Sequence, residues 1–145
     1  MKPKIIILAL AFLLALTTVS AQAAGLDFKK YDEAVKEATQ DHKLVMIFFW
    51  AKWCRYCAQI RQEVFENNEK VKATFDRHFV GVSVDIENDP DNISAKYKPQ
   101  ALPTLAFIRP DGDVLGILPG APDVETFIQV IEYVHAEAEK PQTEK

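Results

Sequence analysis

The sequence predicts an α/β fold in which a mixed sheet of about four strands has helices on both faces. Leu44–Trp50 is a continuous apolar run of seven residues, too short for a helix, and it predicts a central strand buried on both faces. A helical pattern and a second strand, Phe79–Asp85, come next, and this order implies a parallel pair with a right-handed crossover. The turn residues 110–113 (PDGD) then predict a hairpin, which adds antiparallel strands.

Apolar periodicity predicts the helices in the first half of the chain. Residues 27–41 have one apolar face among charged residues, which is typical of an amphipathic helix. That face comprises Tyr31, Ala34, Val35 and Ala38. A second helix over 54–65 is expected to turn four side chains inward, namely Cys57, Ile60, Val64 and Phe65. Residues 71–75 continue helically after a pair of asparagines.

The second half of the chain follows the same logic. Turn residues at 89–92 precede a short helix that ends at about Lys98, and the hairpin strands are expected over 104–109 and 114–118. The last helix begins near Asp123, which we interpret as its N-cap. Its apolar face comprises Phe127, Val130, Ile131 and Val134.

Length and composition limit the protein to one ordinary packed domain. The 145 residues are 48% hydrophobic and 26% charged, with a formal net charge of −4, which disfavours a nucleic-acid partner. Two cysteines are too few for a small fold held together by disulfides. We expect a domain over residues 25–139 and a disordered tail over 140–145, and no dimerisation segment is evident, so we expect a monomer.

The first 24 residues have the three parts of a secretory signal peptide. Two lysines precede an apolar run over 5–16, and small residues ending in Ala-Gln-Ala follow it. Cleavage near Ala23 or Ala24 would remove two lysines and leave a net charge of −6. An uncleaved anchor is the alternative, although a spanning helix needs about 20 apolar residues. In both cases the domain is exported, and a bacterial periplasm is the expected compartment.

The two cysteines, Cys54 and Cys57, lie where the first buried strand gives way to a helix. A thiol at a helix N-terminus faces unpaired N–H groups and the positive end of the helix dipole, which stabilise the reactive thiolate. Lys52 and Arg55 add two positive charges beside Cys54. Cys57 lies one helical turn further on and can attack a mixed disulfide formed at Cys54. We therefore predict that Cys54 attacks and Cys57 resolves.

Three other interpretations of the cysteines remain open at this point. A structural disulfide closing so short a loop would stabilise the fold by only ~2 kcal/mol. A zinc site needs four ligands, and His42, His78 and His135 are scattered along the chain, so we expect no metal. Two inert buried thiols are the third interpretation, which the neighbouring cations and tryptophans disfavour.

The segment WAKWCRYC, followed by VDIEND and by Leu102-Pro103-Thr104 before the hairpin, resembles the thioredoxin superfamily over nearly all of the expected mature chain. The resemblance is greatest to exported thioredoxin-like proteins and to the periplasmic C-terminal domain of transmembrane thiol–disulfide reductases. It implies a thioredoxin-like three-layer fold, a redox-active Cys54–Cys57 disulfide and a cis peptide at Leu102–Pro103. That peptide would lie beside Cys54 and pair with an extended substrate segment.

The chain departs from the family pattern beside the cysteines. Many thioredoxins have a buried acid six residues before the first cysteine, where this chain has Phe48. The glutamate of the reductase domain, four residues after the second cysteine, corresponds to Arg61. Arg55 and Tyr56 replace the usual Gly-Pro between the cysteines. Because cations near Cys54 stabilise the reduced form, we expect a reduction potential above thioredoxin's, which is about −270 mV.

The sequence thus predicts an exported dithiol–disulfide oxidoreductase that acts on protein thiols and disulfides without a cofactor. We favour reduction, with electrons from a membrane donor protein, over the oxidation of exported thiols. A redox-sensing binding module and an isomerase are the alternatives, and multiple turnover would distinguish an enzyme from a sensor. Trp53, Arg55, Tyr56, Leu102 and Pro103 are the expected substrate-binding residues, whereas Trp50 is expected to be core.

Overall fold

The structure is a computed structural model that describes residues 25–141. The expected signal peptide and the last four residues of the expected disordered tail lie outside the described residues. In chain order the elements are β1 (Phe28–Lys29), α1 (Tyr31–Asp41), β2 (Leu44–Trp50), α2 (Arg55–Ile60) with a following π-helical turn (Arg61–Phe65), α3 (Glu69–His78), β3 (Phe79–Asp85), α4 (Ile93–Tyr97), β4 (Thr104–Ile108), β5 (Val114–Pro119) and α5 (Val124–Ala138).

The strands form one mixed sheet in the order β1-β3-β2-β4-β5, which confirms the predicted α/β fold. Strand β2 pairs parallel with β3, with Trp50 opposite Asp85, and antiparallel with β4, with Phe49 opposite Thr104. Strands β4 and β5 form the predicted antiparallel hairpin. The carboxyl ends of β2 and β3 and the amino end of β4 therefore lie at one edge of the sheet.

The sheet has five strands instead of the expected four or so, because the start of the first predicted helix is wrong. That helix begins at Tyr31, and Phe28–Lys29 instead pairs parallel with β3. A Cβ atom at Gly81 would lie 2.8 Å from the carbonyl oxygen of Asp27, so only glycine permits this close approach. A strand of two residues is too short to produce a period-two pattern in the sequence.

Both faces of β2 are buried, which explains its unbroken apolar sequence. Met46 and Phe48 face a core that also contains side chains of α2, the π-helical turn, α3 and α5. Val45, Ile47 and Phe49 face a second core formed with α1 and α4. The predicted three-layer arrangement is therefore present.

The last helix begins as predicted. The carboxylate of Asp123 accepts a hydrogen bond of 2.8 Å from the N–H of Thr126 and so caps α5. Three of the four residues predicted to face inward are buried and Val130 is half-buried, while Ile128 is also buried. Within residues 25–141, none of the helices has both the length and the apolar character needed to span a bilayer.

Candidate active site

The two cysteines follow the end of strand β2, at the sheet edge. The N–H of Cys54 donates to the carbonyl of Ala51 at 3.1 Å, which turns the chain out of the strand. Cys54 is the N-cap of α2, with extended backbone angles, and its carbonyl accepts from the N–H of Ala58 at 3.2 Å. A helix therefore begins immediately after the first sulfur, as the sequence predicts.

Cys54 and Cys57 form a disulfide, with Cα atoms 5.2 Å apart. The N–H of Cys57 points at the Sγ of Cys54 at 3.1 Å, so this sulfur is the acceptor that caps the helix. Cys54 is 6% exposed and Cys57 is 2% exposed. Both are thus largely enclosed, and the first is the more accessible of the two.

A cleft of about 300 Å³ opens beside the disulfide. Both cysteines line it, together with the cations Lys52 and Arg61 and the acid Glu66. A larger cleft of about 580 Å³, bordered by α1, β3 and the loop after β3, contains no cysteine or histidine. Size alone therefore does not select the site, whereas the sulfur pair does.

Two aromatic side chains next to the cysteines are exposed. Trp53 is 68% exposed and Tyr56 is 63% exposed, and Arg55 between them is also exposed. The indole N–H of Trp53 donates to a carboxylate oxygen of Glu87 at 3.1 Å, which fixes the ring against the loop after β3. Trp50 is half-buried, and its indole N–H donates to the hydroxyl of Ser83 at 2.9 Å. Trp53 is thus exposed as predicted, whereas Trp50, which was expected in the core, is only half-buried and lines the cleft beside the disulfide.

The Leu102–Pro103 peptide is cis. Because Thr104 lies opposite Phe49 in the sheet, this peptide comes at the same edge as the end of β2 and the disulfide. Pro103 is buried and its carbonyl accepts a hydrogen bond of 2.8 Å from the N–H of Gly120, whereas Leu102 is half-buried. The structure thus gathers all seven predicted site residues at one edge of the sheet.

Phe48 packs in the same core cluster as the two cysteines, and Arg61 lines the cleft beside them. Phe48 is completely buried and meets Phe65 edge-on, with ring centroids 5.2 Å apart. The guanidinium carbon of Arg61 lies 5.4 Å from the centroid of the Phe48 ring and 4.7 Å from that of Trp50. Cation–π contacts of this kind hold a charged group against an apolar wall.

Arg61 and Glu87 are not among the predicted site residues, although Arg61 occupies the position of the reductase domain's glutamate. Arg61 follows Cys57 by four residues, and that helical spacing was a signal that could have placed both on one face. Glu87 gave no such signal, since it lies 34 residues from Trp53 along the chain. In residues 25–141, no group of three or more His, Cys, Asp or Glu side chains could hold a metal ion.

Residues 31–135 match the Thioredoxin-like domain family, so this protein belongs to that family. Its fold, its paired cysteines and its relatives make it a thiol–disulfide oxidoreductase of the thioredoxin superfamily. Disulfide bond reductase DsbH of Chlamydia pneumoniae is 32% identical over 111 residues, which are 68% of this chain and 67% of that protein. Thioredoxin H-type of Populus jackii is 33% identical over 93 residues, 64% of this chain and 62% of that protein.

Solved structures show the same fold. A thioredoxin from Thermus thermophilus superimposes with a TM-score of 0.70 at 24% identity, covering 79% of this chain and 91% of that one. A candidate disulphide-isomerase from Bacteroides thetaiotaomicron has a TM-score of 0.66 at 32% identity, covering 83% of this chain and all of the other. The three-layer architecture is therefore that of the thioredoxin superfamily.

Proposed function

We propose that this protein is an exported reductase of protein disulfides in which Cys54 is the attacking sulfur and Cys57 the resolving sulfur. The observation that carries the proposal is the hydrogen bond from the N–H of Cys57 to the Sγ of Cys54. In the reduced protein the same N–H, at the start of a helix, would face the Cys54 sulfur and stabilise it as a thiolate. The greater exposure of Cys54 supports the same order of attack.

The reaction is a two-electron exchange between sulfurs. The Cys54 thiolate attacks one sulfur of a partner disulfide, whose S–S bond breaks as a Cys54–partner bond forms. The partner's other sulfur leaves as a thiolate and takes up a proton. Cys57, as its thiolate, then attacks Cys54, so that the Cys54–Cys57 bond forms and the second partner sulfur is released. The partner is reduced, the protein dithiol is oxidised, and a membrane donor protein returns two electrons.

The surface around Cys54 suits an unfolded or extended protein segment. Exposed Trp53 and Tyr56 offer apolar area beside the disulfide, and Arg55 offers a charge between them. Leu102 is half-buried and lies just before β4, whose first residue pairs with the end of β2, and its main chain is the proposed partner of such a segment. These residues are the proposed docking surface, and protein thiols and disulfides are the proposed partners.

Two further points of the proposal come from outside the site. Export to the periplasm is supported by the signal-peptide pattern of residues 1–24. Reduction as the direction is supported by the 32% identity to a protein named disulfide bond reductase. The cations Lys52 and Arg55 favour the reduced dithiol and would make this protein a stronger oxidant of its partners. A measurement of the reduction potential, together with identification of the proteins that form mixed disulfides with Cys54, would decide the direction.

A turnover assay tests the proposal. The purified chain is mixed with insulin as the protein disulfide and with an excess of dithiol reductant, and insulin reduction is followed over time. We expect many reduced disulfides for each protein molecule, and none above background for Cys54→Ser. A single stoichiometric exchange would overturn the proposal in favour of a redox sensor. Cys57→Ser, expressed in cells, should hold partners as stable Cys54-linked disulfides, and membrane donor proteins among them would support reduction.

A further inference from the structure

The guanidinium of Arg61 is held in an unusual setting for a charged group. It lies over the rings of Trp50 and Phe48, and its Nη2 atom is buried with no hydrogen-bond partner among the described residues. Aromatic faces offset part of the cost of removing a cation from water, but they do not replace an acceptor for its N–H groups. A buried unsatisfied donor of this kind requires an explanation.

Arg61 is also fixed on the same helical face as the second sulfur. The N–H of Arg61 donates to the carbonyl of Cys57, one helical turn earlier, and both side chains line the cleft beside the disulfide. At Arg61 the helix changes to a π-helical turn, closed by the N–H of Glu66 donating to the carbonyl of Arg61 at 2.9 Å. Such turns occur often at functional sites. Arg61 and the sulfur pair therefore line one cleft from the same helix.

The structure assigns to Arg61 the role of electrostatic partner for Cys57: in the reduced protein its guanidinium stabilises the Cys57 thiolate. This inference rests on the proposed function, because it concerns the step in which Cys57 attacks the mixed disulfide. In the disulfide seen here Cys57 carries no charge, and Nη2 has no acceptor. Reduction frees the Cys57 sulfur, which becomes an anionic acceptor one turn away on the same face when its thiol ionises.

The surroundings of Cys57 make Arg61 the cation best placed for this role. The other charged residues that line the cleft are the cation Lys52 and the anion Glu66, and both are exposed. On its buried side, Cys57 belongs to an apolar cluster that would otherwise oppose ionisation of its thiol. A half-buried guanidinium is screened less by solvent than the exposed Lys52 ammonium.

The first test isolates Cys57 in the full chain. In a Cys54→Ser background Cys57 is the single thiol, and its rate of alkylation by iodoacetamide is measured against pH for Arg61→Gln, Arg61→Lys and the parent. We expect Arg61→Gln to slow alkylation at neutral pH by about tenfold or more and to move the midpoint to higher pH, as loss of a close opposite charge does. Arg61→Lys should retain most of the effect. Arg77→Gln, which removes an equal charge at the far end of α3, should change nothing.

The second test separates the two chemical steps. Reduced protein with both cysteines is mixed with one equivalent of Ellman's reagent, which releases one nitrothiobenzoate when Cys54 attacks and a second when Cys57 resolves the adduct. Arg61→Gln is expected to slow the second release and to leave the first within twofold of the parent. Equal alkylation midpoints or unchanged second release in Arg61→Gln would overturn the inference and leave Arg61 a packing residue. The insulin assay on the unaltered protein reports separately on the proposed function.

A third measurement needs no substitution and covers the case in which Arg61→Gln does not fold. The Arg61 side-chain Nε–H signal of the unaltered chain is followed by NMR in the oxidised and the reduced states. Pairing with a thiolate predicts slower exchange with solvent and a shifted resonance on reduction. The same exchange rate and position in both states would contradict the pairing.

Discussion

The Sγ of Cys54 accepts the N–H of Cys57 at 3.1 Å, so the first sulfur of the active pair is also the cap of helix α2. One atom thus serves both the proposed chemistry and the local fold. Removal of that atom should therefore be detectable in stability as well as in activity, and the two effects can be separated because serine retains an acceptor at the same position.

The first prediction compares Cys54→Ser with Cys54→Ala, both with Cys57 reduced. Neither variant should reduce insulin, since the proposed attacking sulfur is absent in both. Cys54→Ala should be less stable than Cys54→Ser by about 1 kcal/mol, because alanine cannot accept the N–H of Cys57. Urea unfolding measures the difference. Equal free energies of unfolding would mean that the cap does not stabilise the helix.

The second prediction concerns the exposed ring of Trp53. Trp53→Ala should raise the KM for a protein disulfide, because the ring offers docking area beside Cys54, while the free energy of unfolding changes by no more than about 0.5 kcal/mol. Tyr133→Ala, on α5, is the matched control because Tyr133 is 65% exposed, close to the 68% of Trp53. An unchanged KM for Trp53→Ala, or an equal rise for Tyr133→Ala, would remove Trp53 from the docking surface.

The third prediction concerns Phe48, which packs in the same core cluster as the two cysteines. Phe48 is fully buried, and its ring packs against those of Phe28 and Phe65. Phe48→Ala should lower the free energy of unfolding by about 3–5 kcal/mol, the usual cost of truncating a buried phenylalanine. Phe48→Leu, which keeps most of the volume, should cost clearly less. A loss below about 1 kcal/mol for the alanine variant would contradict the packing described here.

The fourth prediction concerns the phenol of Tyr97, far from the cysteines along the chain. The pKa of Tyr97 is raised from an ordinary value of 10.0 to about 12. Burial of the phenol is the largest cause, and the hydrogen bond of 2.8 Å with the hydroxyl of Tyr31 is the second. The neutral phenol is thus favoured in the folded state, so its contribution to stability is complete below pH 10 and is lost as the pH rises toward 12.

Absorbance titration of the phenolate band checks that prediction. The chain has four tyrosines, and the difference between the parent and Tyr97→Phe isolates the signal of Tyr97. That difference should be centred near 12. A difference centred near 10 would show that the Tyr31–Tyr97 contact does not protect the phenol.

Much of the fold could be predicted because its signals are local. The continuous apolar run of β2 fixed its bounds, since burial on both faces requires every residue to be apolar. The N-cap Asp123 and the PDGD turn gave the last helix and the hairpin. Strand β1 could not be predicted in the same way, because its two residues are held by pairing with β3 and by Gly81 rather than by a pattern of their own.

In the candidate site, too, the residues that could be predicted are those with a local sequence signal. The cysteines and Trp53 follow from one contiguous motif at the end of a strand. The position of the Arg61 guanidinium depends on rings contributed by β2 and on a π-helical turn, and a change of hydrogen-bond partner in a helix leaves no signature in residue types. Contacts of this kind arise only once the helix has packed on the sheet.

The most direct test of the account is the rate at which Cys54 reacts with iodoacetamide as a function of pH, measured on the reduced Cys57→Ser variant. We expect rapid alkylation near neutral pH, with a midpoint well below the value of about 8.5 for an ordinary cysteine. Slow alkylation with a midpoint at or above that value would contradict the claim that the helix start makes Cys54 a nucleophile.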